Sequence, residues 1–74
     1  MENLGEVKEG KYKIVGILRP GRQKIKKLSI LGIFIGDIIE VIKPGPGPVI
    51  IKKGNIRIGI GHGMAMDIIV EEIK

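Results

Sequence analysis

The sequence predicts a small, mainly β barrel with one short helix, and three observations carry that prediction. Short runs rich in isoleucine and valine recur along the chain, each closed off by glycine or proline, the punctuation of strands joined by turns. One of them, Ile56-Arg57-Ile58-Gly59-Ile60, alternates strictly and follows a Gly54-Asn55 pair, the signature of a two-residue type II′ hairpin. Only one segment, Arg22 to Leu31, spaces its apolar residues as an amphipathic helix does. At 74 residues the chain makes a single domain, residues 1–74, near the size where burial is just sufficient for independent folding. It has no cysteine to staple it and no Cys/His spacing for a structural zinc. Aliphatic packing must therefore supply the core.

The N-terminal stretch Met1 to Gly10 is polar and anchored by Leu4 and Val7, and Gly10 is read as its closing turn. The strand Lys11 to Leu18 sets Tyr12, Ile14, Gly16 and Leu18 on one face and Lys13, Val15 and Ile17 on the other. Gly16 marks a bend or bulge where the sheet curls. Arg19-Pro20-Gly21 forms a turn, and the helix follows with Ile25, Leu28 and Leu31 inward. Gln23, Lys24, Lys26 and Lys27 cover its outer face. At about ten residues such a helix is marginal alone and must be held by the sheet.

Gly32 stands where a helix C-cap needs a residue that tolerates the left-handed conformation. Gly36-Asp37 then offers a turn into the strand Asp37 to Lys43. Pro44-Gly45-Pro46-Gly47-Pro48 cannot join a ladder and is expected to be a stiff, extended loop. Val49-Ile50-Ile51 opens the next strand, and the hairpin returns through Ile56 to Ile60 with Ile56, Ile58 and Ile60 pointing to the core. Gly61 to Asp67 closes into one helical turn around Met64 to Asp67, and Ile68 to Ile73 is the final strand.

The net charge of +5 is unevenly spread. Lys11 to Gly36 carries seven positive residues and no acid, while the remainder sets six positives against all eight acids. A one-sided basic segment suits nucleic-acid phosphates, anionic headgroups or an acidic protein surface, and equally a solvated face. No catalytic constellation is legible: His62 is the only histidine and Ser29 lies on the helix without partners. His62 with Asp67 would leave a metal short of ligands, and Met64 and Met66 read as packing residues. Tyr12 and Phe34 are the only aromatics, too few for a base-stacking platform. No run is long and apolar enough for a bilayer, and the first residues lack the pattern of a signal peptide. The expected location is cytoplasmic.

In their order and spacing these features resemble the FeoA family, small cytoplasmic proteins that accompany the ferrous iron transporter FeoB. The same domain ends some metal-dependent transcriptional repressors. The resemblance is carried by Leu4, Val7 and Gly10, by Tyr12 to Ile17, and by Leu28, Leu31, Gly32, Ile33, Gly36 and Ile38 to Val41. It continues through Gly47-Pro48-Val49, Ile58-Gly59-Ile60, Ala65 and Ile68-Ile69-Val70. The chain departs from the family at Ile35, where proline often precedes the second glycine of the corner, and in its short proline-rich loop.

The resemblance implies an SH3-like barrel of five to six strands with no enzymatic activity, and the sequence itself offers no cofactor site and no metal-ligand set. It implies an accessory or regulatory role in ferrous iron uptake, through contact with FeoB on its cytoplasmic side. For such a contact the sequence offers the apolar corner Leu31, Ile33, Phe34 and Ile35, flanked by Lys24, Lys26 and Lys27, which also suit an anionic inner leaflet. The alternative is a KOW-like SH3-type barrel that binds RNA or DNA through its basic helix, because Gly36 to Ile42 resembles the opening of that ribosomal motif. Metal sensing at His62 ranks below both.

Overall fold

The computed structural model describes residues Met1–Lys74. In chain order the elements are β1 (Glu2–Asn3), β2 (Gly10–Ile17), α1 (Arg22–Ile30), β3 (Ile38–Lys43), β4 (Val49–Lys53), β5 (Ile56–Ile60), α2 (His62–Met66) and β6 (Ile68–Glu72). The strands form one antiparallel sheet in the order β1-β6-β2-β3-β4-β5. It curls around a single cluster of 15 buried apolar residues, giving the mainly β, SH3-like barrel that the sequence predicts. Ile39 and Val41, Val49 and Ile51, Ile58 and Ile60, and Ile68 and Val70 each supply alternate positions of one strand to that core.

The sheet departs from simple alternation in β2. Ile14 pairs with Val70 but Gly16 pairs with Ile69, so Val15 is an extra residue. One inserted residue reverses the facing of everything after it. Ile17 consequently packs against the core and Leu18 is exposed, the opposite of the facing expected from sequence. Gly10, read as a turn, opens β2 and pairs with Val41.

The β4–β5 hairpin closes through Gly54-Asn55, flanked by the pair Lys53 and Ile56. Gly54 alone of the two has a positive φ, +61°, which is the type II′ geometry. Ile56 is 65% exposed, contrary to the inward facing expected of it, because it sits at the hairpin tip beyond the last core layer. The loop at Pro44–Pro48 is not extended either. It bends through Gly47, whose φ is +86°, and brings Gly45 onto the backbone of Gly5, so that a Cβ on Gly45 would stand 2.8 Å from the Gly5 carbonyl oxygen.

Two successive hydrogen-bonded turns carry the chain from α1 to β3. Gly32, with φ +79°, reverses the chain after the helix. Its N–H donates to the Ser29 carbonyl at 3.0 Å while that of Ile33 donates to Leu28 at 2.8 Å. This is a Schellman ending, and the buried pair Leu28 and Ile33 makes its apolar contact. Leu28 is the one fully buried residue of α1. Ile25 and Leu31, expected inward, are exposed, because the strands already fill the core and leave room for one helical side chain plus Ile33.

Next, the Asp37 N–H donates to the Phe34 carbonyl at 3.1 Å. Gly36, third in this turn, has φ +100°, the type II arrangement, whose second position favours proline. That position is Ile35, so the resemblance's missing proline has a geometric place.

Two stability predictions follow from these close fits. Ile35→Pro removes no hydrogen bond, since the Ile35 N–H has no acceptor. It is expected to raise the unfolding free energy by about 0.4–1 kcal/mol through the unfolded chain, read as a higher urea midpoint. Gly45→Ala is expected to lower it by about 1–3 kcal/mol. Gly5→Ala should cost less, because the Met66 thioether that it meets can swing aside while a backbone carbonyl cannot; parallel urea titrations measure the difference.

Candidate docking surface

Helix α1 is tied to the barrel at both ends. At its start, the Leu18 N–H donates to the Asp67 carbonyl at 2.7 Å. The Asp67 carboxylate receives Arg19 Nη2 at 2.5 Å and Lys24 Nζ at 2.7 Å. Lys24 also donates to the carbonyls of Leu18 and Arg19, at 3.0 and 3.1 Å. Together these contacts hold Arg19 at φ +46°, a left-handed conformation rare for a residue with a side chain. Asp67 is the one buried charged residue. The hydrogen bond from Lys24, supported by the Arg19 charge, outweighs desolvation and holds its carboxyl below the ordinary value.

At the other end, Lys53 of β4 reaches back to the corner. Its ammonium donates to the Gly32 carbonyl, pairs with Asp37 Oδ2 at 2.7 Å, and lies 5.3 Å from the centre of the Phe34 ring. The same Asp37 oxygen accepts the Phe34 N–H at 2.8 Å. The corner is thus rigid where it is most exposed. Phe34 is 52% and Ile35 61% accessible.

The residues anticipated for a partner are only partly brought together. Ile33 lies in the core at 2% exposure, delivered there by the Schellman ending, so it presents nothing at the surface. Lys24 is turned inward to Asp67. Lys26 and Lys27 are exposed and stand in no ion pair. Leu31, Phe34 and Ile35 are exposed on the corner. Ile25 and Ile30 join them; Ile30 falls outside the inward stripe, and an isoleucine among the lysines of the outer face was the available signal.

Two apolar clefts flank the helix. One of about 170 Å³ lies among Ile17, Ile25, Phe34 and Ile35. The other, about 330 Å³, lies among Lys27, Ile30, Leu31, Ile60 and Met64. A basic groove of about 480 Å³ lined by Arg19, Arg22, Lys24 and Lys27 runs past the helix start. Elsewhere the basic segment is balanced, since Lys11 and Lys13 stand opposite Glu40 and Glu71 on neighbouring strands.

His62 and Asp67 are not brought together as ligands. His62 is exposed at the start of α2 beside Glu6, Pro46 and Met66, while Asp67 follows the far end of that helix and is committed to Arg19 and Lys24. Tyr12 is buried, its hydroxyl donating to the Lys8 carbonyl at 2.9 Å. Burial, then Glu72 and Glu2, push its pKa up.

The fold and this face define a small SH3-like barrel domain that displays an apolar corner beside a basic helix. The FeoA domain model matches residues 2–72, and the chain belongs to the FeoA domain family. A relative from Methanocaldococcus jannaschii, named “Putative Fe(2+) transport protein A”, is 40% identical over 74 residues, covering 100% of this chain and 90% of its own length. The crystal structure of an iron uptake regulatory protein (FeoA) superposes with a TM-score of 0.81 at 32% identity, covering 97% of this chain and 96% of that one. A FeoA-like protein from Clostridium acetobutylicum gives 0.83 at 26% identity, covering 99% and 87%. The manganese regulator SloR shares the fold over 97% of this chain and 34% of its own, with a TM-score of 0.88 at 20% identity.

The Asp67 network has a pH signature. With the folded pKa held below the ordinary 3.8, its stabilisation is complete above that value and is lost as pH falls through the folded one. Asp67→Asn is expected to lower Tm at neutral pH, and the gap to the parent should close below about pH 4. Thermal melts of both proteins across that range provide the check.

Proposed function

We propose that the protein is a non-enzymatic accessory subunit of ferrous iron uptake, acting by docking on the cytoplasmic side of the membrane transporter FeoB. Family membership and the Fe(2+) transport named for the archaeal relative support the iron context. The observation that carries the docking is the rigid, exposed pair Phe34 and Ile35. The Asp37–Lys53 clamp fixes the turn that carries this aromatic and this aliphatic side chain, a pre-organised apolar anchor of the kind that a partner's pocket covers. Lys26 and Lys27 beside it favour an acidic protein surface or the anionic inner leaflet. The nucleic-acid reading draws less support, since burial of Tyr12 leaves Phe34 as the one surface aromatic.

Capture of the transporter's cytoplasmic domains by the immobilised protein tests this. The parent should retain them, and Phe34→Asp should weaken capture by about tenfold or more. Failure of the parent to capture them rejects the transporter as partner. Equal capture by a Phe34→Asp protein with a native circular dichroism spectrum removes the corner from the interface.

A further inference from the structure

The sheet has an open edge where α1 leaves the barrel wall uncovered. β5 ends the strand order and pairs with β4 alone. The two-residue hairpin makes Lys53 and Ile56 a hydrogen-bonded pair, and alternation makes Ile51–Ile58 and Val49–Ile60 hydrogen-bonded as well. Arg57 and Gly59 therefore aim their N–H and C=O groups away from β4. Both residues are exposed, and no atom lies within 4 Å of where a Cβ on Gly59 would stand. Gly59 and Ile60 also line the cleft of about 330 Å³ shared with Ile30, Leu31 and Met64, in which Ile30 is 75% exposed. Edge strands are commonly shielded by proline, a bulge, a covering element or a charged side chain; of these β5 has only the charge of Arg57.

β5 and the cleft carry positive charge only, and Glu40 stands beyond Lys52 on β3. Arg57 stands opposite Lys52, Lys27 lies in the cleft, and none of the three takes part in an ion pair. A second copy of the chain would bring these like charges together, whereas an acidic segment would neutralise them.

We propose that β5 receives an added strand from a partner protein: an extended segment alternating aliphatic and acidic residues. Its backbone pairs with Arg57 and Gly59, one aliphatic side chain enters the cleft beside Ile30, and its carboxylates meet Arg57, Lys52 and Lys27. The proposal rests on the reading of the barrel as a docking module but uses a surface other than the Phe34 corner.

The test is titration of the ¹⁵N-labelled protein with a short synthetic peptide alternating valine and glutamate. The Arg57 and Gly59 amides are expected to shift and to exchange with solvent about tenfold more slowly. Affinity should fall as salt rises. Gly59→Pro deletes one edge donor without touching the β4 ladder, and an edge strand accepts proline where its N–H faces solvent; peptide affinity should drop about tenfold. Arg57→Glu, a surface change that leaves every backbone bond in place, should weaken this peptide and favour one alternating valine and lysine, and it decides the matter if Gly59→Pro fails to fold. Absence of shifts at Arg57 and Gly59, or unchanged affinity in a folded variant, overturns the proposal. In the capture assay, loss with Phe34→Asp but not with Gly59→Pro overturns the edge proposal and keeps the docking module; loss with Gly59→Pro but not with Phe34→Asp moves the docking to the edge.

Discussion

The Lys24–Asp67 pair governs where α1 lies, and most of the exposed surface depends on that placement. Asp67 sits between α2 and β6, on the barrel itself. Lys24 belongs to the first turn of the helix, and its ammonium also gathers the carbonyls of the connection from β2. A nine-residue helix with one buried side chain has little hydrophobic reason to stay in place, and its intrinsic stability is low. A charged hydrogen bond largely withdrawn from solvent fills that gap. It also leaves the helix high on the barrel wall, with apolar clefts on either side.

The rest of the helix placement comes from the corner. The Schellman ending lowers Ile33 into the core where a longer helix would have placed its own side chain, and the type II turn returns the chain into β3. Lys53 then joins the corner to the hairpin. Helix, corner and hairpin tip behave as one unit because three ion pairs and two glycine-dependent turns meet along it. That unit fixes the turn that carries Phe34.

Element order, the hairpin type and most of the core were legible from local pattern, because period-two alternation and glycine placement act over a few residues. The SH3-like barrel and the family were legible from the same positions taken together. The facing of Ile17 and Leu18 was not, since a bulge at Val15 is a property of pairing with β6, far away in sequence. The exposure of Ile25, Leu31 and Ile56 was missed for a related reason: an apolar stripe shows which side chains prefer burial but not whether the core has room for them. The role of Asp67 was hidden because its partners, Arg19 and Lys24, lie more than forty positions earlier. At the corner, the run from Ile33 to Ile35 reads as uniformly apolar, and only the turn geometry divides it into one core residue and two surface residues.

The bulge makes chain length, rather than residue identity, the critical variable at the end of β2. It works as a half-step phase shift between the first part of the strand and everything that follows. With it, Ile17 supports the core and Leu18 offers its N–H to Asp67 as Arg19 turns toward the carboxylate. A single-residue deletion there would restore strict alternation and swap the duties of those neighbours, although no chemical group of the site had changed. Substitutions at Val15 alter one half-buried side chain, but insertions and deletions shift the frame in which the helix anchor is assembled. Within this fold, the bulge position is therefore tolerant in composition and strict in count.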